Sequence, residues 1–580
     1  NKKPNIYMSS FLKLKTNYSK TKNNFKEIKL AIVSDNSSQF MTQAIKAYGI
    51  KYQLNLDIFE SNYNQIDFQL LNFESPLYKF KPEFIYINFS TQKLLNQFYK
   101  TDIINRNSFS DNKINEIQNI YEAINSKIKS TIIINNFNEI NDHIFGNYSN
   151  KSSVSFIYQL RKINFCLMNL LQKSPNMFIC DFVSIQNNIG IKMIDQKLYY
   201  NADLAYSIKS VPYIAKNILK IICSNIGIFK KCLILDLDNT LWGGVIGDDG
   251  IDGIKLGDLG IGSIYTELQR WVLELKKRGI LITICSKNNF KIAKKAFKEH
   301  PEMILKMSDI SIFKANWKDK TENIYDIKKE LNIDFNSMVF IDDNPFEREM
   351  VKKNLPLIEV PDLPNDPSDY LQFLRTENYF ETSSFIKDDS KKTTLYKEEI
   401  KRSEKKGKFK NKISFLKHLN MKSKVDVINS KNIDRVFQLM QRTNQFNTRR
   451  KRYTKSELEN FSANKNAHTM VFKLYDKFGN YGIISCVILE KINKNLIIDT
   501  WVLSCRVFDR GLENFIIKKI ITYAKCKSCK SLIGFYEKTE KNILIKSLFT
   551  SLGFKKIKDK WILSLEKKFE YDSQINLITN

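Results

Sequence analysis

Short apolar runs bounded by polar stretches recur as far as residue 341, alternating with segments whose apolar positions repeat every third or fourth residue. Residues 28–33 read as a strand, followed by Ser34-Asp-Asn-Ser-Ser and a helix through Tyr48. Residues 84–89, 131–134 and 177–182 read as further strands, and that alternation predicts an α/β sheet. A second set of buried strands is predicted at 231–235, 279–285 and 337–341. Residues 320–331 carry Ile324, Ile327 and Leu331 at helical spacing. After Pro367 the pattern changes. Between 391 and 417 bases greatly outnumber acids, which reads as a solvated helical connector. From Met421 strands return at 471–475, 482–489 and 496–503, then a helix with Leu512, Phe515, Ile516, Ile520 and Tyr523 on one face.

The second set of strands ends in reactive side chains. Asp236 and Asp238 stand two residues apart after an apolar strand and start on the same face. In a parallel sheet, ligands bind beyond the carboxyl ends of the strands, where this pair falls. Two carboxylates there repel unless a cation sits between them, and a hard cation prefers oxygen. Such a pair suits phosphoryl transfer: one Asp attacks phosphorus, the other handles the proton, and Mg²⁺ offsets phosphate charge. Ser286 ends the next strand, where its hydroxyl can hold a phosphate oxygen or simply cap a helix. Lys320 opens the helix before the third strand and can neutralise phosphate, with Lys314 as a competitor. Asp342 and Asp343 end that third strand.

Singly, each of these groups has an ordinary structural explanation. In this order, they are the four motifs that the chain shares with haloacid dehalogenase-like phosphohydrolases, which it resembles. The resemblance implies Asp236 as nucleophile, Asp238 as general acid/base, Ser286 on phosphate and Lys320 screening the phosphoaspartate. It implies Mg²⁺ held by Asp236, Asp238, Asp342 and Asp343, with Asp343 either a ligand contact or an orienting group. About forty residues separate the first two motifs and about fifty the second and last, too few for a crossover helix plus an independent lid. An open site that admits a large or protein-borne substrate is expected.

Composition adds limits. The chain has 580 residues, 43% of them hydrophobic, so it is expected to fold into three or four domains. No apolar run is long enough to cross a bilayer, and Asn1-Lys-Lys-Pro-Asn shows no secretory pattern. The net charge is +30, yet Lys, Asn and Ile are abundant everywhere and groove-reading motifs are absent. Acidic partners and phosphorylated metabolites are expected rather than nucleic acid. Nine scattered Cys argue for a reducing compartment, so a cytoplasmic location is expected. Cys526-Lys-Ser-Cys529 is a lone pair of thiols, read as free rather than zinc-binding.

The amino-terminal layout resembles the SGNH-hydrolase fold, with Ser34 where a nucleophile would lie. The late Asp-x-x-His unit of such enzymes is absent, and His143, His300, His418 and His468 are not so placed. Docking or lidding is expected there, not hydrolysis. In the carboxyl-terminal part, a strand leads into Ser504-Cys505-Arg506 and Arg510-Gly511 at a helix start, an arrangement suited to anions. This resembles the acetyl-CoA site of GNAT acyltransferases, although Asp509 stands where that turn usually has Gly. Residues 542–554 resemble the last helix and strand of that fold. Coenzyme A and a phosphopantetheine arm fit Arg506, Arg510 and Gly511 equally well.

Nearly the whole chain resembles FkbH-like proteins, the subfamily IIIC branch of the haloacid dehalogenase-like group. The signatures are Leu235-Asp-Leu-Asp-Asn-Thr-Leu-Trp-Gly-Gly-Val-Ile-Gly247, Cys285-Ser-Lys-Asn288 and Phe340-Ile-Asp-Asp-Asn-Pro345, with Thr443-Asn-Gln-Phe-Asn447 and Leu503-Ser-Cys-Arg506 further on. The resemblance implies an enzyme of polyketide-type biosynthesis. It would take 1,3-bisphosphoglycerate, a phosphorylated three-carbon metabolite, and load a glyceryl thioester on an acyl carrier protein. Cys285 and Cys505 are the candidate acyl carriers. Cys285 should point into the core, whereas Cys505 adjoins Arg506 and a helix N-terminus, which favour the thiolate. A phosphatase for a small phosphorylated sugar or surface-polysaccharide precursor and a noncatalytic synthase-docking protein remain alternatives. The expected fold class is α/β in three domains. Residues 1–228 would be SGNH-like and noncatalytic, 229–366 a Rossmann-like parallel sheet without a large cap, 367–420 the connector, and 421–580 a GNAT-like α+β domain.

Overall fold

In the computed structural model the described residues are 25–406, 409, 411–449, 451–464, 466–539, 542–566 and 570–578. The chain divides into two compact units, Asn1–Asn225 and Ile226–Asn580. No helix among the described residues is long and apolar enough to cross a membrane.

The first unit is built on β1 (Lys26–Ser34), β2 (Leu54–Glu60), β3 (Phe84–Asn88), β4 (Thr131–Asn135) and β5 (Met177–Cys180). They form one parallel sheet in the order β2-β1-β3-β4-β5. Every residue of β3 is buried, as expected of a strand covered on both faces. Ser34 ends β1 fully buried, and its hydroxyl oxygen accepts from Asn88 Nδ2 at 2.9 Å and from the Asn36 amide at 3.2 Å.

The second unit contains two sheets. The first is parallel, in the order β8-β7-β6-β9: β6 (Cys232–Leu235), β7 (Leu281–Ser286), β8 (Ile310–Ala315) and β9 (Met338–Ile341). Their side chains are buried almost throughout, so the apolar runs legible in the sequence are core on both faces. Between β6 and β7 lie a short helical segment, Ile246–Gly253, and the crossover helix α1 (Gly260–Lys277). Before β9, α2 (Lys320–Leu331) buries Ile324, Ile327 and Leu331, with Asp319 accepting from the Thr321 amide as its cap.

The other sheet has eight strands in the order β15-β16-β14-β13-β12-β11-β10-β17. These are β10 (Met421–Asp426), β11 (Ala467–Asp476), β12 (Gly479–Ile492), β13 (Asn495–Leu503), β14 (Ser531–Gly534), β15 (Lys555–Ile557), β16 (Lys560–Ser564) and β17 (Ile575–Leu577). The pairing is mostly antiparallel, but β13 meets β14 in parallel over Asn495–Ile498 only. Past that point the free edge of β13 is taken by residues 446–448: Leu503 donates to the Phe446 carbonyl and Thr448 to the Trp501 carbonyl.

The charged stretch is not the solvated connector that its composition suggests. Helix α3 (Lys392–Lys406) packs inward, with Tyr396 buried and Arg402 only 1% exposed. Arg402 donates to both oxygens of Asp476, at 2.8 and 2.9 Å, and its guanidinium lies 4.3 Å from the Tyr481 ring centroid. A run rich in Lys and Glu reads as surface, and nothing local marks the one Arg whose acidic partner lies 74 positions away.

Candidate active site

Register assembles the site. Leu235 of β6 lies beside Ile284 of β7 and Ile341 of β9, so the residues just beyond, Asp236, Ser286 and Asp342, emerge at one end of the sheet. Lys320, at the first turn of α2, reaches them from the side. Its Nζ lies 2.9 Å from Asp236 Oδ2 and 2.5 Å from Asp342 Oδ2. Lys314, the competitor, pairs instead with Glu330 at 2.6 Å.

All three members of this bridge are buried, Asp342 completely. Burial alone would lower the Lys320 pKa, but Asp236 and Asp342 outweigh it and hold the ammonium above its ordinary value. Burial, followed by the charge of Asp236, pushes Asp342 up to about 7. Asp343 is raised by the same two causes.

Carboxylate oxygens of Asp236, Asp342 and Asp343 lie within 4.8 Å of one another. Asp236 Oδ1 is buried without a hydrogen-bond partner. An oxygen-only cluster with an unsatisfied anionic atom fits a hard divalent cation. Thr240 fixes the third member: its hydroxyl accepts from the Asp343 amide at 3.1 Å and donates to Asp343 Oδ1 at 3.3 Å. Arg348 donates to the carbonyls of Asp342 and Asp343, at 2.9 and 2.6 Å, and so holds the loop after β9.

The Asp238 carboxylate falls outside this cluster, although the sequence places it among the metal ligands. One oxygen accepts from Trp242 Nε1 at 2.9 Å and the Ile246 amide at 3.1 Å, the other from Asn288 Nδ2 at 2.9 Å. The alternation that should put Asp236 and Asp238 on one face ends with the strand at Leu235. Beyond it the chain turns, with Asn239 at φ 52°. Burial raises the Asp238 pKa, and the Ile246 and Trp242 hydrogen bonds oppose the rise.

Ser286 is 2% exposed at the end of β7. Cys285, fully buried, points its Sγ toward the Lys320 carbonyl at 3.7 Å, and burial pushes its thiol far up. Cys505 and Arg506 are elsewhere. They line a cavity with Lys231, Ile280 and Ser337, which precede or begin β6, β7 and β9, at the opposite end of the sheet from Asp236. Arg510 does not share that cavity's lining. It is buried, donates to Glu399 of α3 at 2.5 Å, and is followed by Gly511 at φ 72° as the cap of α4 (Leu512–Cys526).

Thr240, Asn288 and Arg348 were not assigned from sequence. Thr240 and Asn288 sit inside the signature runs, but Arg348 has no local mark.

These features define a parallel-sheet phosphatase-type site carried with a second, mixed sheet. The sequence profile of the FkbH N-terminal domain matches residues 29–223. The chain is similar to the N-terminal part of protein BF1531 from Bacteroides fragilis, solved as containing a phosphatase domain complexed with Mg. The two are 43% identical, with 65% of this chain and 99% of that one covered and a TM-score of 0.63. The chain belongs to the FkbH family. It is also similar to the ribosomal-protein-S18-alanine N-acetyltransferase of Escherichia coli, at 13% identity over 26% of this chain and 97% of that one, TM-score 0.21. An acetyltransferase of the GNAT family from Staphylococcus aureus Mu50 is 12% identical over 25% and 99%, TM-score 0.21. No curated protein sequence matches it.

Proposed function

We propose that the protein is a Mg²⁺-dependent phosphatase of the haloacid dehalogenase type that also transfers a glyceryl group from 1,3-bisphosphoglycerate to an acyl carrier protein. The observation that carries the phosphatase reading is Lys320 bridging Asp236 and Asp342, while Asp236 Oδ1 has no partner. The Asp236 oxygen left free of the cation can attack phosphorus. The P–O bond to the leaving group breaks, and the departing oxygen takes a proton from Asp238, whose raised pKa suits an acid. Water then attacks phosphorus, gives its proton to Asp238 and releases Asp236. Ser286 and Lys320 hold the phosphate oxygens; Asp236, Asp342 and Asp343 would hold Mg²⁺, which would supply charge against them.

The transfer reading rests on Cys505. Its thiolate attacks the acyl phosphate carbonyl, the C–O bond to phosphate breaks, and phosphate leaves with the electron pair. The carrier's phosphopantetheine thiol then takes the acyl group. In this reading residues 229–366 form the phosphatase domain, 367–420 a connector that packs inward through Tyr396 and Arg402, and 421–580 the acyltransferase-like domain in the cytoplasm. Residues 1–228 form a noncatalytic SGNH-like domain, in keeping with the buried, hydrogen-bonded Ser34. The test is incubation with 1,3-bisphosphoglycerate and the carrier. A glyceryl mass on the pantetheine supports transfer; phosphate release without any added mass leaves only the phosphatase.

A further inference from the structure

The cavity beside Cys505 is unlike the carboxylate site in charge and position. It has a volume of about 140 Å³. Lys231 in its wall precedes β6 and Asp236 follows it, five steps of about 3.3 Å apart, or roughly 17 Å. Two sites at opposite ends of one sheet can be filled independently.

Its wall is cationic. Lys230, Lys231, Arg278, Lys392, Arg435 and Arg442 line it together with Arg506, against two carboxylates, Asp334 and Glu381. Some of these cations are matched: Lys392 and Arg442 share buried Asp389, at 2.7 and 2.9 Å, and Lys230 faces Glu359 at 3.7 Å. No carboxylate among the described residues lies within ion-pair distance of Lys231, Arg435 or Arg506, although Asp334 acts on Lys231 and Asp389 and Asp388 act on Arg435 through space. Arg506 donates weakly, at 3.4 Å, to Ser504 Oγ and to the Tyr481 carbonyl, and its Nη1 is buried with no partner. Arg435 donates to Gln438.

Charges held away from water without counter-ions are costly, and proteins keep them where a ligand supplies the opposite charge. Guanidinium groups suit a planar or tetrahedral oxyanion, which they bind through paired N–H donors. Burial and neighbouring cations both disfavour charge on this wall. Burial and Arg442 push Lys392 down to about 7, and burial and Arg506 push Arg435 down to about 10.

We propose that this cavity is a second oxyanion site, which takes a small phosphate or diphosphate ester on Arg435, Arg506 and Lys231 and lays it against the Cys505 thiol. The site stands whether or not Cys505 carries an acyl group, and it does not depend on the carboxylate cluster.

Cys505 is a built-in reporter of occupancy. The full chain, stripped of divalent ions, is titrated with inorganic pyrophosphate while alkylation of Cys505 by iodoacetamide is followed by peptide mass. Saturable slowing, at least five-fold, is expected. In Arg506→Gln and Arg435→Gln, the concentration needed should rise at least ten-fold, whereas Asp236→Asn should behave as wild type. Arg506→Lys, which keeps the charge, serves if the Gln variant does not fold, and should show an intermediate shift. Slowing by pyrophosphate but not by coenzyme A identifies a small phosphorylated metabolite; slowing by both identifies a diphosphate carried on a longer ligand. Undiminished Cys505 alkylation in the wild type at saturating pyrophosphate and coenzyme A overturns the site. So does protection that survives unchanged in folded Arg506→Gln and Arg435→Gln.

Discussion

Lys320 Nζ lies 2.5 Å from Asp342 Oδ2, and both groups are almost wholly removed from water. The same ammonium reaches Asp236, so one cation holds together carboxylates from two neighbouring strands. Removing it leaves two buried carboxyl groups facing each other without their cation. Lys320→Met should cost about 3–5 kcal/mol of stability without metal and cut phosphate release by at least about a hundred-fold. Thermal unfolding with and without Mg²⁺ checks this, since the ion should restore part of the loss. Wild-type stability in metal-free buffer would contradict the bridge.

Asp342 gives the site a pH dependence. Its pKa of about 7 lies above the ordinary carboxylate value, so over roughly pH 4 to 7 the metal-free native state holds a proton that the unfolded chain has lost. Native stability without metal therefore falls as pH rises through that window. A cation must displace the proton, so Mg²⁺ affinity should weaken as pH drops below 7. Calorimetry in buffers of different ionisation heat should count close to one proton released at pH 6 and far fewer at pH 8.

Asp238 is tied by three donors and stands apart from the carboxylate cluster. Asp238→Asn should keep the fold and Mg²⁺ binding yet slow turnover of an alkyl phosphate by about 10²–10⁴. The loss should be smaller for 4-nitrophenyl phosphate, whose leaving group needs no proton. An equal loss on both substrates would remove Asp238 from the acid role.

The two candidate thiols should separate cleanly. Cys285 is fully buried and Cys505 partly exposed, so a thiol reagent should modify Cys505 first under native conditions. Cys505→Ala should abolish glyceryl loading of a carrier while leaving phosphate release from a small ester intact. Retained loading would move the acyl group elsewhere.

Arg402 fastens α3 to the mixed sheet through Asp476, which has no exposed side-chain area. Arg402→Ala leaves that carboxylate buried and unpaired, a loss of about 3–5 kcal/mol. Denaturant unfolding would show it as a lower midpoint. A surface connector would show no change.

The phosphatase part was legible because its chemistry is tied to strand ends. Apolar runs such as 231–235 and 337–341 are continuous, so the residue that ends each run marks the carboxyl edge of a parallel strand. Lys320 is preferred over Lys314 because it begins the helix directly before the third strand, as the resembled family pattern requires. The geometry of Asp238 could not be read this way, because the alternation argument stops where β6 stops, one residue before Asp236. The charged stretch misled for another reason: lysine-rich composition reports the majority of its side chains, while the packing is decided by Tyr396 and Arg402.

By itself the sequence determined which groups meet at the carboxyl end of the parallel sheet, since periodicity sets the strands and each reactive residue follows one directly. Only the tertiary structure decided that Lys320 bridges two of those carboxylates, that Asp238 turns aside to Trp242 and Asn288, and that Cys505 and Arg506 meet Lys231 and Arg435 in a cavity at the far end. Those contacts join residues up to 275 positions apart (Lys231 and Arg506), and no local pattern encodes them. They follow from how whole sheets pack, which depends on the fold as a unit.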